Sequence, residues 1–279
     1  MIQWFPGHMA KAKKEIQEKV KICDLAFVLL DARAPKSSYN PLIEEVVGNK
    51  PILYLLAKMD KADLSETKKW QATLEGENRT SLLINSVRKT NINRIAKYAN
   101  ELLKEKRAKD AAKGLKPRPI RAMILGIPNV GKSTLINALV NKKVTTTGDR
   151  PGITKAQQWI KVNNDFELLD TPGVLWPKFD DQTTGYHLAI TGAIKDDILP
   201  IEDVALYALQ FLKEHYSNAL DYYQIDTNLD PINIINELGH QKKMYRANQS
   251  VDREQVGRMI LQDIRNGRLG KITWDRYDE

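Results

Sequence analysis

The sequence predicts an α/β fold: a mostly parallel sheet with helices on both faces, followed by a small all-α domain. Three observations predict it. Short apolar runs at residues 25–30, 52–56 and 81–84 each end in polar residues and alternate with polar stretches of helical character, which is typical of a parallel sheet covered on both faces. A fourth apolar run enters a glycine-containing turn at residues 126–133. Beyond residue 200, apolar residues recur at helical spacing.

Composition indicates a globular chain with an excess of basic residues. The 279 residues are 42% hydrophobic and 28% charged, and 43 Lys and Arg against 35 Asp and Glu give a net charge of +8. A phosphate pocket with a solubilising surface explains this excess, and so does an RNA or ribosomal partner. The single cysteine, Cys23, excludes an internal disulfide and a cysteine-based zinc site. With no signal-peptide core and no apolar run near the ~20 residues of a membrane span, we expect a cytoplasmic protein without membrane contact.

An aromatic segment opens the chain and a helix follows it. Trp4 and Phe5 lie within residues 1–9, and we expect this segment to dock on the protein because exposed aromatic side chains are unfavourable. Apolar residues at i, i+4 spacing predict a helix over residues 10–21.

The first three strands place polar residues at one edge of the predicted sheet. The strands run into residues 31–33, 57–60 and 85–88, and ligands in such sheets bind at the carboxyl ends of strands. A helix is then predicted over residues 91–109, and the chain is strongly basic from the second half of that helix to Arg121. A solvated linker is the simpler interpretation of this basic run, and a nucleic-acid contact is the alternative.

Residues 126–133, Gly-Ile-Pro-Asn-Val-Gly-Lys-Ser, match the phosphate-binding pattern G-x-x-x-x-G-K-[ST] without a mismatch. A strand is predicted before the loop at 120–125 and a helix after it at 134–140, which is the setting the pattern requires. Backbone N–H groups would surround the phosphates, Lys132 would contact the β- and γ-phosphates, and the Ser133 hydroxyl would bind Mg²⁺. We expect nucleotide contacts from consecutive residues of this loop: Asn129, Val130, Gly131, Lys132, Ser133 and Thr134.

A predicted strand pair at residues 157–162 and 166–169 leads into Asp170-Thr-Pro-Gly173. An aspartate in this place can hold the Mg²⁺ shell, and the backbone N–H of Gly173 can contact a γ-phosphate. Between the two motifs, Thr154 is expected to bring its hydroxyl to Mg²⁺ when a mobile loop closes. Thr147 is the alternative, and Thr154 is preferred because Pro-Gly precedes it closely.

The remainder of the chain is predicted to be helical. Residues 180–192 are expected to form a loop-rich passage, and helices are predicted over residues 201–213, 231–243 and 252–265. The last of these begins with a capping pair and ends at Gly267.

Two further motifs point to guanine. Ala57-Lys-Met-Asp60 resembles the Asn-Lys-x-Asp motif of GTPases, in which Asp accepts from base N1 and N2 and Lys lies along the ring, and Lys58 and Asp60 are the matching residues. Ser86 and Val87 resemble the start of the Ser-Ala-Lys backbone contact to guanine. In an ordinary GTPase both motifs follow the phosphate loop, whereas here they precede it. This order resembles the circularly permuted GTPases of the translation-factor class.

Further motifs make the resemblance more specific, and it covers essentially the whole chain. They are Trp-Phe-Pro-Gly-His-Met-Ala-Lys-Ala at the start, Asp-Ala-Arg after the first strand, Gly-Leu-Lys-Pro-Arg before the phosphate loop, the loop itself, Leu-Asp-Thr-Pro-Gly-Val-Leu-Trp-Pro, and Thr-Gly-Ala-Ile-Lys at 191–195. Together they resemble the bacterial ribosome biogenesis GTPase A family.

The resemblance implies a cytoplasmic, monomeric GTPase that uses GTP and Mg²⁺ and acts late in assembly of the large (50S) ribosomal subunit. It implies a circularly permuted GTPase domain over residues 1–177, including the docking segment, and a helical domain over 178–279 that contacts rRNA. A nucleotide-gated rRNA-binding protein with slow, incidental hydrolysis is the alternative function. Stimulation of GTP hydrolysis by the large subunit separates the two.

The water-positioning Gln of ordinary GTPases is replaced, because Val174 and Leu175 follow Gly173. The resemblance suggests His8 as its replacement, since histidine titrates near neutral pH and can hydrogen-bond water. The alternative is that His8 caps or packs the N-terminal helix. The resemblance also implies that Asn129 ligates K⁺ beside the phosphates, with turn geometry as the alternative reason for that Asn.

Ala57 departs from the family, which has Asn at this position. Alanine cannot contact the purine edge or tie the guanine loop to the phosphate loop. Asp60 remains, so we expect retained specificity for guanine with binding weakened by around 1 kcal/mol, or several-fold in affinity.

Overall fold

The computed structural model describes residues 9–140, 158–162, 166–171 and 181–278. Its strands, in chain order, are β1 (Leu25–Asp31), β2 (Ile52–Ala57), β3 (Arg79–Leu83), β4 (Ile120–Gly126), β5 (Gln158–Lys161) and β6 (Phe166–Asp170). They form one sheet in the order β3-β2-β1-β4-β6-β5. All neighbours are parallel except the edge pair β5–β6. The predicted fold class is confirmed.

Helices cover both faces of this sheet and make up most of the chain after it. The helices of the described residues are α1 (Met9–Val20), α2 (Pro41–Val47), α3 (Leu64–Thr73), α4 (Ile95–Leu102), α5 (Lys104–Ala112), α6 (Lys132–Val140), α7 (Gln182–Thr191), α8 (Ile201–His215), α9 (Pro231–Gln241) and α10 (Arg253–Asn266). Within the described ranges, no helix is both long and apolar enough to cross a membrane.

The central strand β1 shows why its apolar run is continuous. Every one of its residues is buried, and successive side chains of a strand point to opposite faces. Leu25, Phe27 and Leu29 belong to one apolar cluster, while Ala26 and its alternating neighbours belong to a second cluster on the other face. The first cluster extends into the helices after residue 187, so the sheet and those helices share apolar packing.

Two predictions about helices are wrong in detail. The helix expected over 91–109 is divided at Leu103, where the backbone leaves helical geometry (φ −97°, ψ 5°). Leu103 is the last buried apolar residue of the run, and α5 beyond it buries no residue. The loop-rich passage expected at 180–192 contains the helix α7.

The three later helices agree with prediction to within two residues. The predicted cap of α10 is present, since Asp252 Oδ1 accepts from the Gln255 backbone N–H at 3.1 Å. Gly267 ends the helix in the left-handed conformation (φ 77°). The boundary at residue 177 lies outside the described residues, as do residues 1–8, so the two domain ranges and the docking segment stay predictions.

Candidate nucleotide-binding site

The functional motifs meet at the carboxyl edge of the sheet. Strand register pairs Asp31 of β1 with Ala57 of β2, and Leu29 of β1 with Gly126 of β4. On the other side of β4, Asp170 of β6 pairs with Ile124. The phosphate loop therefore leaves a central strand, with the strands of the guanine motifs on one side and Asp170 on the other.

Glycine is required where the chain leaves β4. Gly126 has φ 152°, and a Cβ atom on it would lie 2.8 Å from the Leu29 carbonyl oxygen. Gly131 has φ 113° and Asn129 has φ 55°, so the loop curls through left-handed residues before α6 begins at Lys132. This backbone directs the first turn of α6, with its N–H groups, toward the space where phosphates bind in such loops.

The Lys132 ammonium group is held inside the loop. Its Nζ donates to the carbonyl oxygens of Gly126 at 3.1 Å and Ile127 at 2.9 Å. Burial lowers the pKa of Lys132 to about 8, and the nearby Asp170 carboxylate opposes that shift. The loop thus contains a buried cation whose charge an incoming phosphate would stabilise.

Lys58 joins the guanine motif to the phosphate loop. Its backbone is left-handed (φ 61°), and its Nζ donates to the Asn129 carbonyl oxygen at 2.8 Å and to Asp31 Oδ2 at 3.0 Å. Ala57 cannot connect the guanine loop to the phosphate loop. The next residue, Lys58, makes this connection instead. Ala57 itself is buried within the apolar cluster.

Asp31 and Arg33 form a buried pair behind Lys58, a role the sequence did not suggest. Arg33 donates through Nε to Asp31 Oδ1 at 2.9 Å and through a terminal nitrogen to Asp31 Oδ2 at 2.7 Å. Burial alone would raise the pKa of Asp31, but Arg33 and Lys58 outweigh it and hold that pKa well below its usual range. A fixed negative charge therefore positions Lys58.

The expected base contacts lie on two turns. Asp60 lies in a 3₁₀ turn, Met59–Lys61, directly after β2. Asn85 Oδ1 accepts from the backbone N–H groups of Val87 and Arg88, both at 2.9 Å. Val87 is 82% exposed, and its N–H already donates, so a contact of that N–H with guanine requires this turn to open. The Ser86 Oγ atom is buried and has no hydrogen-bond partner among the described residues.

The end of α7 lies against these loops. Asn129 Nδ2 donates to the Gly192 carbonyl oxygen at 2.8 Å, and Arg33 donates to the Thr191 carbonyl oxygen at 3.1 Å. Arg265 of α10 donates to the carbonyl oxygens of Ala189 at 2.8 Å and Ile190 at 3.0 Å. The last carbonyl groups of a helix lack partners within it, and here side chains from three parts of the chain supply them.

Three predicted site residues, His8, Thr154 and Gly173, lie outside the described residues, as does the alternative Thr147. The others fall into two neighbouring groups at one sheet edge. The guanine group is Lys58, Asp60, Ser86 and Val87, and the phosphate group is Asn129, Val130, Gly131, Lys132, Ser133, Thr134 and Asp170.

Comparisons with known proteins agree with this arrangement. Residues 121–244 match the family described as 50S ribosome-binding GTPase. The chain is 50% identical over 277 residues to the ribosome biogenesis GTPase A of Bacillus pumilus, covering 99% of this chain and 98% of that protein. The chain belongs to the ribosome biogenesis GTPases. The family resemblance found in the motifs is thereby confirmed, and the protein is a GTPase.

More distant relatives also match this chain over nearly its full length. This GTPase is 31% identical over 274 residues to the probable ribosome biogenesis GTPase A of Mycoplasma pneumoniae, covering 98% of this chain and 96% of that protein. It is 35% identical over 296 residues to the mouse mitochondrial ribosome-associated GTPase 1, covering 98% and 90%. The crystal structure of GNP-bound YlqF from T. maritima matches with a TM-score of 0.68 at 21% identity, covering 95% of this chain and 98% of that one, which is a likeness of fold.

The residues of this GTPase beside the phosphate loop fit a magnesium ion. Asp170, 1% exposed at the end of β6, offers carboxylate oxygens, and Ser133 in the first turn of α6 offers a hydroxyl. Mg²⁺ prefers such oxygen ligands and is usually held by one or two protein groups together with phosphates and water. Asp170 pairs in register with Ile124, two residues before Gly126, so its carboxylate lies beside the strand that leads into the phosphate loop.

Proposed function

We propose that this GTPase binds the maturing large (50S) ribosomal subunit through its rRNA and promotes a late assembly step as a cytoplasmic monomer. The observation that carries the proposal is the link from the phosphate loop to the C-terminal helices, through Asn129, Gly192 and Arg265. A loop that senses the nucleotide can in this way alter the position of helices that bind RNA. The full-length similarity to ribosome biogenesis GTPases supports a ribosomal partner.

In the reaction, the chain's own groups bind and orient GTP. Lys132 and the loop N–H groups hold the phosphates, while Lys58 and Asp60 hold the base. Ser133, Thr154 and Asp170 would hold Mg²⁺, which neutralises charge on the β- and γ-phosphates when bound. Gly173 would contact the γ-phosphate through its N–H. Lys242, Lys243, Arg246, Arg258 and Arg268 of the C-terminal region would contact rRNA phosphates, whereas Arg265 is a structural residue because it donates to the last carbonyl groups of α7.

Two residues complete the proposed reaction. His8 would position the attacking water. His8→Ala should therefore lower GTP turnover on the activating partner and leave nucleotide affinity nearly intact. Unchanged turnover would remove His8 from the mechanism.

Asn129 would ligate K⁺ through Oδ1, because its Nδ2 donates to the Gly192 carbonyl oxygen. Equal hydrolysis rates in KCl and NaCl would leave only the turn-forming role for Asn129.

GTP hydrolysis measured with and without purified large ribosomal subunits, in KCl, tests the proposed function. Strong stimulation is expected, because the chain lacks the usual water-positioning Gln and should be slow alone. Binding to the subunit without stimulation would favour the alternative, a nucleotide-gated rRNA-binding protein with incidental hydrolysis. Absence of binding would contradict both.

A further inference from the structure

The segment 104–118, here called the basic arm, concentrates much of the protein's positive charge. It comprises α5 and the chain that returns to β4. The arm holds seven basic residues and two acidic ones, a net charge of +5 within a protein whose net charge is +8. All but one of its residues are exposed. A charge run of this kind is often only a solvated linker, so its structure decides what it can do.

The basic arm is anchored to the body of the protein. Asp24, 6% exposed just before β1, accepts from both terminal nitrogens of Arg118 at 2.8 Å, and it also pairs with Lys106. Burial would raise the pKa of Asp24, but Arg118 and Lys106 outweigh it and lower that pKa to about 2. A bidentate arginine–carboxylate pair is geometrically specific, so the arm is held in one orientation near its start, at Lys106, and at its end, at Arg118.

Packing alone does not explain why α5 is a helix. It has nine residues and buries none of them, whereas isolated helices shorter than about 12–15 residues are marginal in water. A helix that is polar all round is stable when something other than a core holds it. In this protein the Asp24 anchor does so, and the result is a preformed basic helix directed into solvent.

Five basic side chains of the arm are left for another partner. No described carboxylate forms an ion pair with Lys104, Arg107, Lys109, Lys113 or Lys116. Between α5 and the returning chain lies a groove of about 410 Å³. Arg107 and Lys116 line this groove together with Asp110 and apolar residues such as Leu103 and Leu115, so the capacity to bind phosphates lies in the exposed basic side chains of the arm rather than in the groove.

We propose that the basic arm is a binding surface for the sugar–phosphate backbone of RNA. Clustered lysine and arginine on one preformed surface are the electrostatic footprint of nucleic-acid binding. Phosphate contacts fix the orientation of a protein on RNA without selecting a sequence. The surface is additional to the C-terminal helices, and the proposal rests on the proposed function in taking ribosomal RNA as the partner.

The position of the arm allows RNA and nucleotide to bind together. The arm precedes β4 and the phosphate loop follows it. The seven residues of β4, rising about 3.3 Å each, separate the two by roughly 20 Å. Changes in the arm should therefore leave nucleotide binding intact.

A four-residue variant tests the surface. Lys104, Arg107, Lys109 and Lys113 are replaced by Gln, and a control replaces four exposed lysines elsewhere, Lys21, Lys68, Lys161 and Lys271. Both variants lose the same charge. Binding to purified large subunits and to deproteinised large-subunit rRNA is measured from 50 to 300 mM KCl, together with GTP affinity.

The arm variant should bind both probes more weakly, and the slope of log affinity against log salt should fall by about 3, since each phosphate contact contributes roughly 0.7–0.9. The control should keep the wild-type slope to within one, and both variants should keep the wild-type GTP affinity. Equal binding by the arm variant and the control would overturn the assignment of the arm as an RNA-binding surface and would leave the proposed function unaffected.

Three further outcomes separate the proposals. If the wild type binds rRNA but not subunits, the proposed function fails, and the slope on rRNA alone still decides the surface. If the arm variant loses affinity for subunits but not for deproteinised rRNA, the arm contacts protein and the RNA assignment is overturned. A wild type that binds no RNA overturns it as well.

Discussion

Lys132 is a buried lysine whose ammonium group is hydrogen-bonded within the phosphate loop. Two carbonyl oxygens accept from its ammonium group, yet burial still lowers its pKa to about 8. The phosphates of a nucleotide add negative charge next to this group and favour its protonated form. Near pH 8 the bound state therefore holds more protons than the free state, and affinity should fall as pH rises further.

Proton uptake on binding GDP measures this effect. At pH 8 the free lysine is about half protonated, so each GDP bound should take up roughly half a proton. Calorimetric titration in two buffers of different ionisation enthalpy detects it, because the observed heat then depends on the buffer. At pH 7, in excess Mg²⁺, the lysine is already mostly protonated and the GDP phosphates are mostly ionised, so the much smaller uptake expected there is the control. Heats at pH 8 that are independent of the buffer would contradict the prediction.

Asp60 is expected to carry the preference for guanine. Asp60→Ala removes an ionised acceptor, and hydrogen bonds to charged groups contribute about 1.5–3 kcal/mol, so GTP affinity should fall roughly 10- to 100-fold. ATP affinity should change little. Asp203→Ala, an exposed aspartate on α8, is the matched control. Comparable affinities of the wild-type protein for ATP and GTP would overturn the guanine assignment and the expected effect of Ala57 together.

The residues of the phosphate loop could be predicted because their pattern is contiguous. The hydrogen bonds that position Lys58 could not be predicted, because Asp31 is 27 residues away in sequence and Asn129 is 71 residues away. The only sequence feature that pointed to this pair was an Asp and an Arg two positions apart, Asp31 and Arg33, at the end of a buried strand. That signal became interpretable only once the sheet placed β1 beside β2.

At the scale of elements, α7 shows where sequence pattern fails. Its Thr-Thr-Gly start has low helix propensity, and its second half is buried nearly all round, so no amphipathic stripe is visible. What makes it a helix is external: Asp181 caps its start, Gly192 ends it with φ 83°, and Arg33 and Arg265 hold its last carbonyl groups. Such support comes from distant parts of the chain.

Arg265→Ala tests that support. The side chain is 17% exposed and pairs with Asp196 as well as with the carbonyl oxygens of α7. Leaving these groups without a partner should lower the free energy of unfolding by about 2–4 kcal/mol. Arg258→Ala on the same helix removes an exposed pair with Glu254 and should change it by less than about 0.5 kcal/mol. Urea denaturation gives both values; equal effects would contradict the role of Arg265.

At the scale of the whole molecule, the C-terminal tail returns to the GTPase sheet. The Ile272 N–H donates to the Lys61 carbonyl oxygen at 3.1 Å, and the Trp274 N–H donates to the Arg33 carbonyl oxygen at 2.6 Å. Trp70 Nε1 donates to the Asp275 carbonyl oxygen at 3.1 Å. The last residues therefore contact the loops that follow β1 and β2, and the chain end helps to fix the guanine side of the site.

A buried polar cluster also joins the C-terminal tail to the rest of the protein. It consists of Ser37, His187 and Asp275. Asp275 accepts from the Ser37 N–H at 2.8 Å and from the Ser37 hydroxyl, and lies 2.8 Å from His187 Nδ1. The residue types are those of a hydrolase triad, but Ser37 and Asp275 both approach Nδ1. A catalytic triad needs them on opposite ring nitrogens. Nε2 instead meets Tyr207 at 3.0 Å, so the cluster is structural.

Asp275→Asn is the test of how strongly this cluster joins the tail, α7 and the loop after β1. The amide retains the shape of the carboxylate, but it replaces one acceptor with a donor that faces other donors. The free energy of unfolding should fall by about 1.5–3 kcal/mol, measured by urea denaturation. Asp278→Asn is the control, since that residue is 78% exposed and pairs only at the surface with Lys69, where about 0–1 kcal/mol is expected. An Asp275→Asn protein as stable as the control would show that the tail is held by Trp274 and its backbone contacts alone.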